Sequence, residues 1–408
     1  MSKGLTFDRA VGQQDLAAGL RAASLATEPF RRVVIFGVFG PPSLAFARTC
    51  ARNGIEAYLL ERIGHRSRVS RYSWALAGQQ TIADGKVTIE VIKSYCDSVA
   101  AQALITVSEA DLLWLAEHRD RFEPGVRLLA PSEASLRRLQ SKKDQIELAR
   151  QAGFHVLPTW FLRSPDDAAR IPLEHYPVCL RPAIPGDIAP TFKARIFQSP
   201  EALHAILQSL TRIDGPIVAQ PFLKLPDLKV HGARTESGQI LVMRPFFVER
   251  KFEGVTLTLC RASFPPGLEA ACRKFAELAG IAGGFHFDLL FDPVTNKAYF
   301  LEINVRMGGI TDKAKAFGYD QPALIMDCFG VGIKSWKMLT PTRRRRVVTK
   351  RSILKHMLVV AMSRHSELDY PQVSRLRHLV LSVRDLLIAR DSVFDWSDLK
   401  GTAWFNLQ

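Results

Sequence analysis

Cysteine is sparse and scattered in this 408-residue chain: Cys50, Cys96, Cys179, Cys260, Cys272 and Cys328 form no CxxC pair and no secreted-domain spacing. That argues against a disulfide scaffold, and the thiols read as reduced, mostly buried groups of a cytoplasmic protein. No apolar run approaches the ~18 residues of a membrane span. The leading stretch MSKGLTFDRAVGQQDLAAGLRAASLA lacks the continuous apolar centre of a signal peptide. Internal repeats and low-complexity tracts are missing. So are an aromatic–basic RNA motif, a zinc finger and a helix-turn-helix signature, and no nucleic-acid partner is expected. The charge is nevertheless +15, from 55 Lys+Arg against 40 Asp+Glu, which favours an anionic or acidic partner. The densest basic run, Arg343-Arg344-Arg345-Arg346, follows Thr340-Pro341-Thr342 and reads as a solvated loop.

A chain of this length, 47% hydrophobic, can bury the cores of two to three domains. Residues 1–30 read as a lead-in tail ended by Pro29. RRVVIFGVFGPPSLAFARTCARNGIEAYLLE then gives strand, turn, helix and strand, a βαβ unit. Gly37 and Gly40 stand in GVFGPP, which is not GxGxxG, and Pro41-Pro42 suit a helix start; Glu61 at the next strand end suits a ribose-binding acid but reads better as an exposed strand-end acid. Two more strand–helix alternations carry the chain to Ser141. Lys142 to Gly153 is an amphipathic helix with a glycine stop. Two antiparallel strands in MRPFFVERKFEGVTLTLCRASF carry Arg244, Arg250 and Lys251, basic side chains suited to an acidic acceptor or to a solvated edge. Helices are expected around 352–363 and 374–390.

The most informative stretch is GFHFDLLFDPVTNKAYFLEINVRMGGIT, Gly284 to Thr311. Two β-rich runs flank Asp292, Pro293 and Asn296, all turn residues, which predicts a hairpin. Alternation along a strand puts His286, Asp288 and Leu290 on one face of the first strand. It puts Phe300, Glu302 and Asn304 on one face of the second. Asp288 then falls almost opposite Glu302, with Arg306 just beyond. Two acids so close repel unless a proton or cation sits between them, and oxygen ligands of this kind suit Mg²⁺ beside substrate phosphates. A solvated polar strand face would show the same spacing. The apolar runs FDLLF and YFLEINV favour a covered cleft.

The run FLEINVRMGG resembles the signature of the ATP-grasp superfamily, which includes biotin carboxylase and D-alanine–D-alanine ligase, and the likeness extends in order from about Arg31 to Gly330. It implies an α/β chain: a Rossmann-like N-terminal domain (31–141), an ATP-grasp domain of two α+β lobes (142–215 and 216–335), and a small C-terminal helical extension (336–408). It implies that Asp288, Glu302 and Asn304 bind Mg²⁺, or Mn²⁺ in its place. Arg306 matches the arginine that meets the transferred phosphate. Lys142, Arg181 and Lys193 match phosphate-binding positions, Lys193 with a catalytic share. Gln220 matches an adenine-contacting acid, Leu223 and Leu290 pack against the nucleotide, and Asp227 matches the ribose-binding acid. The chain departs from the pattern where Arg181 replaces a lysine, Gln220 replaces a glutamate, and the flap IPGDIAPTFKA has one glycine, Gly186. The chemistry implied is ligation of a small-molecule carboxylate to an amine through an acyl phosphate, with ATP as cosubstrate. A non-catalytic ATP-binding regulator is the alternative.

Overall fold

The computed structural model describes residues 30–37, 40–62, 74–82, 86–252, 254–362 and 374–407. The lead-in tail up to 29, and Val38 and Phe39 of the first glycine loop, lie outside the described residues.

The first unit is built on strands β1 (Arg32–Gly37), β2 (Glu56–Glu61), β3 (Gly78–Thr81), β4 (Ala103–Thr106) and β5 (Arg127–Leu128). They pair in parallel in the order β3-β2-β1-β4-β5. Val33 to Phe36 in β1 are wholly buried, as a parallel strand covered on both faces demands. Helices α1 (Pro41–Arg52), α2 (Ile89–Ser98), α3 (Glu109–Glu117) and α4 (Glu133–Gln140) alternate with the strands. Glu61 is not an exposed strand-end acid. It is 4% exposed and accepts a 2.6 Å hydrogen bond from Gln79 Nε2, and burial raises its pKa.

Helix α5 (Lys142–Ala152) follows at once. The Ser141 side chain caps it by accepting from the Asp144 N–H, and Gly153 stops it at φ 89°, a left-handed conformation glycine adopts without a Cβ clash. Next come β6 (Trp160–Leu162), β7 (Val178–Pro182), β8 (Ile188–Ala189), β9 (Arg195–Phe197), α6 (Pro200–Ser209), β10 (Arg212–Ile213) and β11 (Ile217–Pro221). Strands β6-β11-β7-β9 form an antiparallel sheet, and β8 with β10 a small ribbon beside it.

The largest sheet has seven strands. It contains β12 (Asp227–Arg234), β13 (Ile240–Phe252), β14 (Val255–Arg261), β15 (Gly283–Asp292) and β16 (Lys297–Asn304), with helices α7 (Leu268–Leu278), α8 (Thr311–Ala316) and α9 (Gln321–Cys328). Then follow β17 (Arg346–Val348), α10 (Lys350–Met362), α11 (Arg375–Ile388), β18 (Arg390–Asp391) and α12 (Leu399–Leu407). The order is β16-β15-β12-β13-β14-β17-β18. The C-terminal extension is therefore not helical alone: β17 and β18 continue the main sheet. Arg346 leaves the basic run to join β17, where two hydrogen bonds of 2.7 and 2.8 Å tie it to Glu249; Arg343, Arg344 and Arg345 stay exposed.

One face of this sheet buries a phenylalanine-rich core against α5 and α7. Phe154 lies 5.3 to 6.1 Å, centre to centre, from Phe275, Phe287 and Phe300. Burying four such rings gives this layer roughly 1.5–3 kcal/mol each in apolar transfer. The rigid floor so formed holds the other face of β12, β15 and β16 toward the smaller antiparallel sheet.

Candidate functional site

Register does most of the positioning. Lys229 in β12 pairs with Asp288 in β15, which pairs with Glu302 in β16. The neighbouring row is His231, His286 and Asn304, and on the other side Asp227 pairs with Leu290. Asp227, Lys229 and His231 alternate along β12, so their side chains share one face. Asp288 stands opposite Glu302, as the hairpin pattern predicts.

Phe300 does not share the face of Glu302. The pairing slips between Asp288 and Leu289, so that Leu301 is an extra residue in β16. Phe300 turns into the core, while Leu301, Glu302 and Asn304 line the cleft. Gln145 of α5 pins this irregular strand, donating to the Ile303 carbonyl at 3.4 Å and accepting from the Ile303 N–H at 3.0 Å.

A cavity of about 680 Å³ opens between the four-stranded and the seven-stranded sheet. The nucleotide- and metal-site candidates proposed from the sequence all line it: Lys142, Arg181, Lys193, Gln220, Leu223, Asp227, Asp288, Leu290, Glu302, Asn304 and Arg306. Its wall carries seven Lys and Arg, with Lys224, Lys229 and Lys251 added, against four acids, a net of +3. Such a wall suits a polyanion.

Each acid of the cleft already faces a cation. Glu302 Oε2 lies 3.6 Å from Lys142 Nζ and 3.9 Å from an Arg181 nitrogen. Asp227 accepts from Lys251 at 2.9 Å, and Asp288 pairs with Lys229. Burial pulls the Lys229 ammonium pKa down, but the charges of Asp288 and Asp227 outweigh it and the net shift is upward. Arg306 reaches across to Glu109 at the start of α3, at 3.1 Å. Among the described residues, Lys193 and Lys224 pair with no acid, and both are exposed at the mouth.

The carboxamide of Gln220 has partners within the protein. Its oxygen accepts from Arg181 at 2.6 Å and its nitrogen donates to Thr159 at 3.0 Å, so both ends are engaged inside the protein. Phe222, Leu223, Lys224 and Leu225, just past this strand end, line the cleft as well. Arg250 departs from its expected place. It is 2% exposed and bound to Asp385 on α11 at 2.8 Å, away from the cleft; Arg244 lines a separate cavity, and only Lys251 of the three enters this one.

Beneath the charged row, His231 and His286 stack with ring centres 4.9 Å apart and planes 14° apart. Burial first, then Lys229 and Arg306, push the His286 pKa down to about 3; burial and His286 push His231 well below its ordinary value. Both rings are neutral near pH 7. A Cβ on Gly308 would sit 2.9 Å from the His286 ring, so the glycine lets the chain after Arg306 pass close over it. Lys229, Glu109 and His231 were not singled out from the sequence, and His286 only as a neighbour of Asp288 on its strand face. The Asp227-Lys229-His231 alternation carried a usable sign for Lys229; Glu109, 197 residues from Arg306, carried none.

Asp288, Glu302 and Asn304 offer two carboxylates in register and one amide, and Asn304 Nδ2 stands 3.5 Å from Asp288 Oδ2. No group of three His, Cys, Asp or Glu converges among the described residues. Hard oxygens with only two charges fit Mg²⁺, which keeps waters and takes phosphate oxygens beside one or two carboxylates.

No protein-family model matches the chain, and no curated protein matches it by sequence. Solved structures do match. A biotin carboxylase from Campylobacter jejuni, in a β-γ-ATP complex, aligns over 89% of this chain and 97% of its own at 14% identity, TM-score 0.63. The biotin carboxylase domain of Hydrogenobacter thermophilus 2-oxoglutarate carboxylase, with MgADP, ADP and bicarbonate, aligns over 78% and 71% at 17% identity, TM-score 0.60. An L-amino acid ligase from Bacillus licheniformis aligns over 76% and 78% at 13% identity, TM-score 0.57.

Proposed function

We propose that this chain, which has the ATP-grasp fold of those structures, is an ATP- and Mg²⁺-dependent ligase that joins a small-molecule carboxylate to an amine or similar nucleophile. ADP and phosphate are the other products. One observation carries the reading: the in-register row Lys229, Asp288 and Glu302 lies in the same cleft as Lys142, Arg181 and Lys193. A row of acids alone suits a cation, and a cluster of cations alone suits an anion. Together they suit a metal–polyphosphate.

The parallel five-stranded sheet is read as a Rossmann-like domain, 31–141, and the ATP-grasp lobes as 142–215 and 216–335. Lys142, Arg181, Lys193 and Lys224 hold the phosphates, Leu223 and Leu290 pack on the base, and Asp227 takes the ribose hydroxyls. Asp288, Glu302 and Asn304 hold Mg²⁺, which when bound neutralises and orients the phosphate oxygens. A substrate carboxylate attacks the γ-phosphorus, ADP leaves, and the amine then displaces phosphate from the acyl phosphate. Positioning and charge neutralisation are the protein's tasks. Arg306 meets the negative charge that grows on the transferring group, exchanging Glu109 for it. The neutral histidine floor adds no cation that would draw the phosphates out of line.

A second reading, a non-catalytic ATP-binding regulator, draws on the engaged Gln220, the single flap glycine Gly186 and the Arg306–Glu109 pair. Calorimetric titration with ATP, with and without Mg²⁺, tests what the two readings share. Glu302→Ala is expected to cost about tenfold or more in Mg²⁺-dependent affinity, ~1.4 kcal/mol or above. Unchanged Mg²⁺-dependent affinity would remove the metal–nucleotide assignment.

A further inference from the structure

Helix α11 is inside out. The face it turns to the protein is largely polar: His378, Ser382 and Asp385 are buried there, with half-buried Leu386 packed on the cluster around Phe252 and Ile353, and Arg250 donates to Asp385 at 2.8 Å and to Ser382 at 3.1 Å. Thr258 adds a 2.6 Å hydrogen bond to the same carboxylate. The face it turns outward is apolar. Leu376, Val380, Val383 and Leu387 recur at spacings of four, three and four, opposite the buried positions, and are 47 to 77% exposed. Helix α10, packed beside it, adds Leu354 and Leu358 one turn apart, exposed by 53 and 70%. A surface helix ordinarily puts these faces the other way round. An outward apolar layer of this extent marks an interaction surface.

We propose that this layer is covered by the α10–α11 hairpin of a second copy of the chain, the two hairpins meeting across a two-fold axis as a four-helix layer. The spacing is the one helices use when they pack lengthwise on each other. The six side chains leave roughly 700 Å² uncovered per copy, close to one side of a standard-size interface. A two-fold axis needs only one self-complementary patch, and an apolar layer is one. The charges fit as well. Lys355, Arg375 and Arg377 are exposed beside the stripe, and pairing two such faces leaves them at the solvated rim. Like-charged rims repel weakly at low salt and are screened at high salt. Association of two copies therefore tightens as salt rises, whereas docking on an acidic helix or an anionic lipid surface loosens.

Sedimentation equilibrium of the full chain at micromolar concentration, in low and high salt, tests this. The expected mass is twice the 45.6 kDa of one chain, with association tighter by several-fold in high salt. Val380→Glu with Leu387→Glu is expected to give single chains, and Leu358→Glu, on the other helix, the same. Leu173→Glu, also on an exposed leucine but outside the stripe, leaves the pair intact. Circular dichroism reports that each variant folds; if the double variant does not, Leu358→Glu decides. A wild type that runs as single chains overturns the proposal. So does a pair that survives the folded glutamate variants, or single chains that float with phosphatidylserine vesicles.

Discussion

Lys229 is the most exposing place to perturb the cleft, because its ammonium sits in the row of acids that the account gives to a metal. Lys229→Met keeps the length and the apolar stem and removes the charge. Asp288 then faces Glu302 across the hairpin with its lysine partner gone, and two such acids repel. Breaking a fully buried pair by removing one partner costs ~3–5 kcal/mol. The side chains here are 15% and 21% exposed, so solvent recovers part of that, and about 2 kcal/mol is expected in chelator. Mg²⁺ can replace the lost charge. At a hundred times its dissociation constant a native-state ligand restores ~2.7 kcal/mol, enough to cancel the loss. The assay is urea unfolding of both proteins in EDTA and in Mg²⁺. A loss that Mg²⁺ reverses supports a divalent-cation site. A variant as stable as wild type in EDTA, or one that Mg²⁺ does not help, refutes the reasoning.

Two further outcomes follow from the same geometry. Arg181→Ala removes a guanidinium that now holds Gln220 and approaches Glu302, and ATP affinity is expected to fall by ~1.5–3 kcal/mol, roughly ten- to a hundredfold, by calorimetry; unchanged affinity would take Arg181 out of the phosphate set. The stacked histidines are neutral when folded and take up protons when unfolded below pH ~6.5, so the unfolded state binds more protons there and stability falls as pH drops from 6.5. His231→Leu is expected to show a shallower loss of melting temperature between pH 7 and pH 5 than wild type. Equal slopes would contradict the buried-histidine account.

Period-two alternation made the hairpin and its facing acids readable from sequence. It needs only a strand, a turn and the next strand. It did not reveal the extra residue at Leu301, because a bulge changes which side chains share a face without changing residue type. The same limit explains Arg250 and Lys251. They are adjacent, equally basic and flanked by register slips, yet one enters the buried pair with Asp385 and the other the cleft. Strands β17 and β18, of three and two residues, are too short for any period to show. Helix α11 could be read as a helix, but an amphipathic pattern does not say which face turns inward. That depended on Arg250, 135 residues earlier in the chain, finding Asp385. Gln220 likewise kept its place at the strand end, and its engagement with Arg181 follows from a cross-strand neighbour, not from its own motif.

The most direct measurement is release of ADP and trapping of acyl phosphate by purified protein, over a panel of carboxylic and amino acids, with Mg²⁺, ATP and hydroxylamine. Wild type is expected to form a hydroxamate with at least one acid, together with ADP and phosphate. Arg306→Ala, which loses a charge met mainly in the transition state, is expected to lower the turnover rate far more than ATP affinity. A wild type that binds Mg²⁺–ATP yet yields no hydroxamate, ADP or phosphate with any acid of the panel would contradict the ligase assignment and favour the regulator.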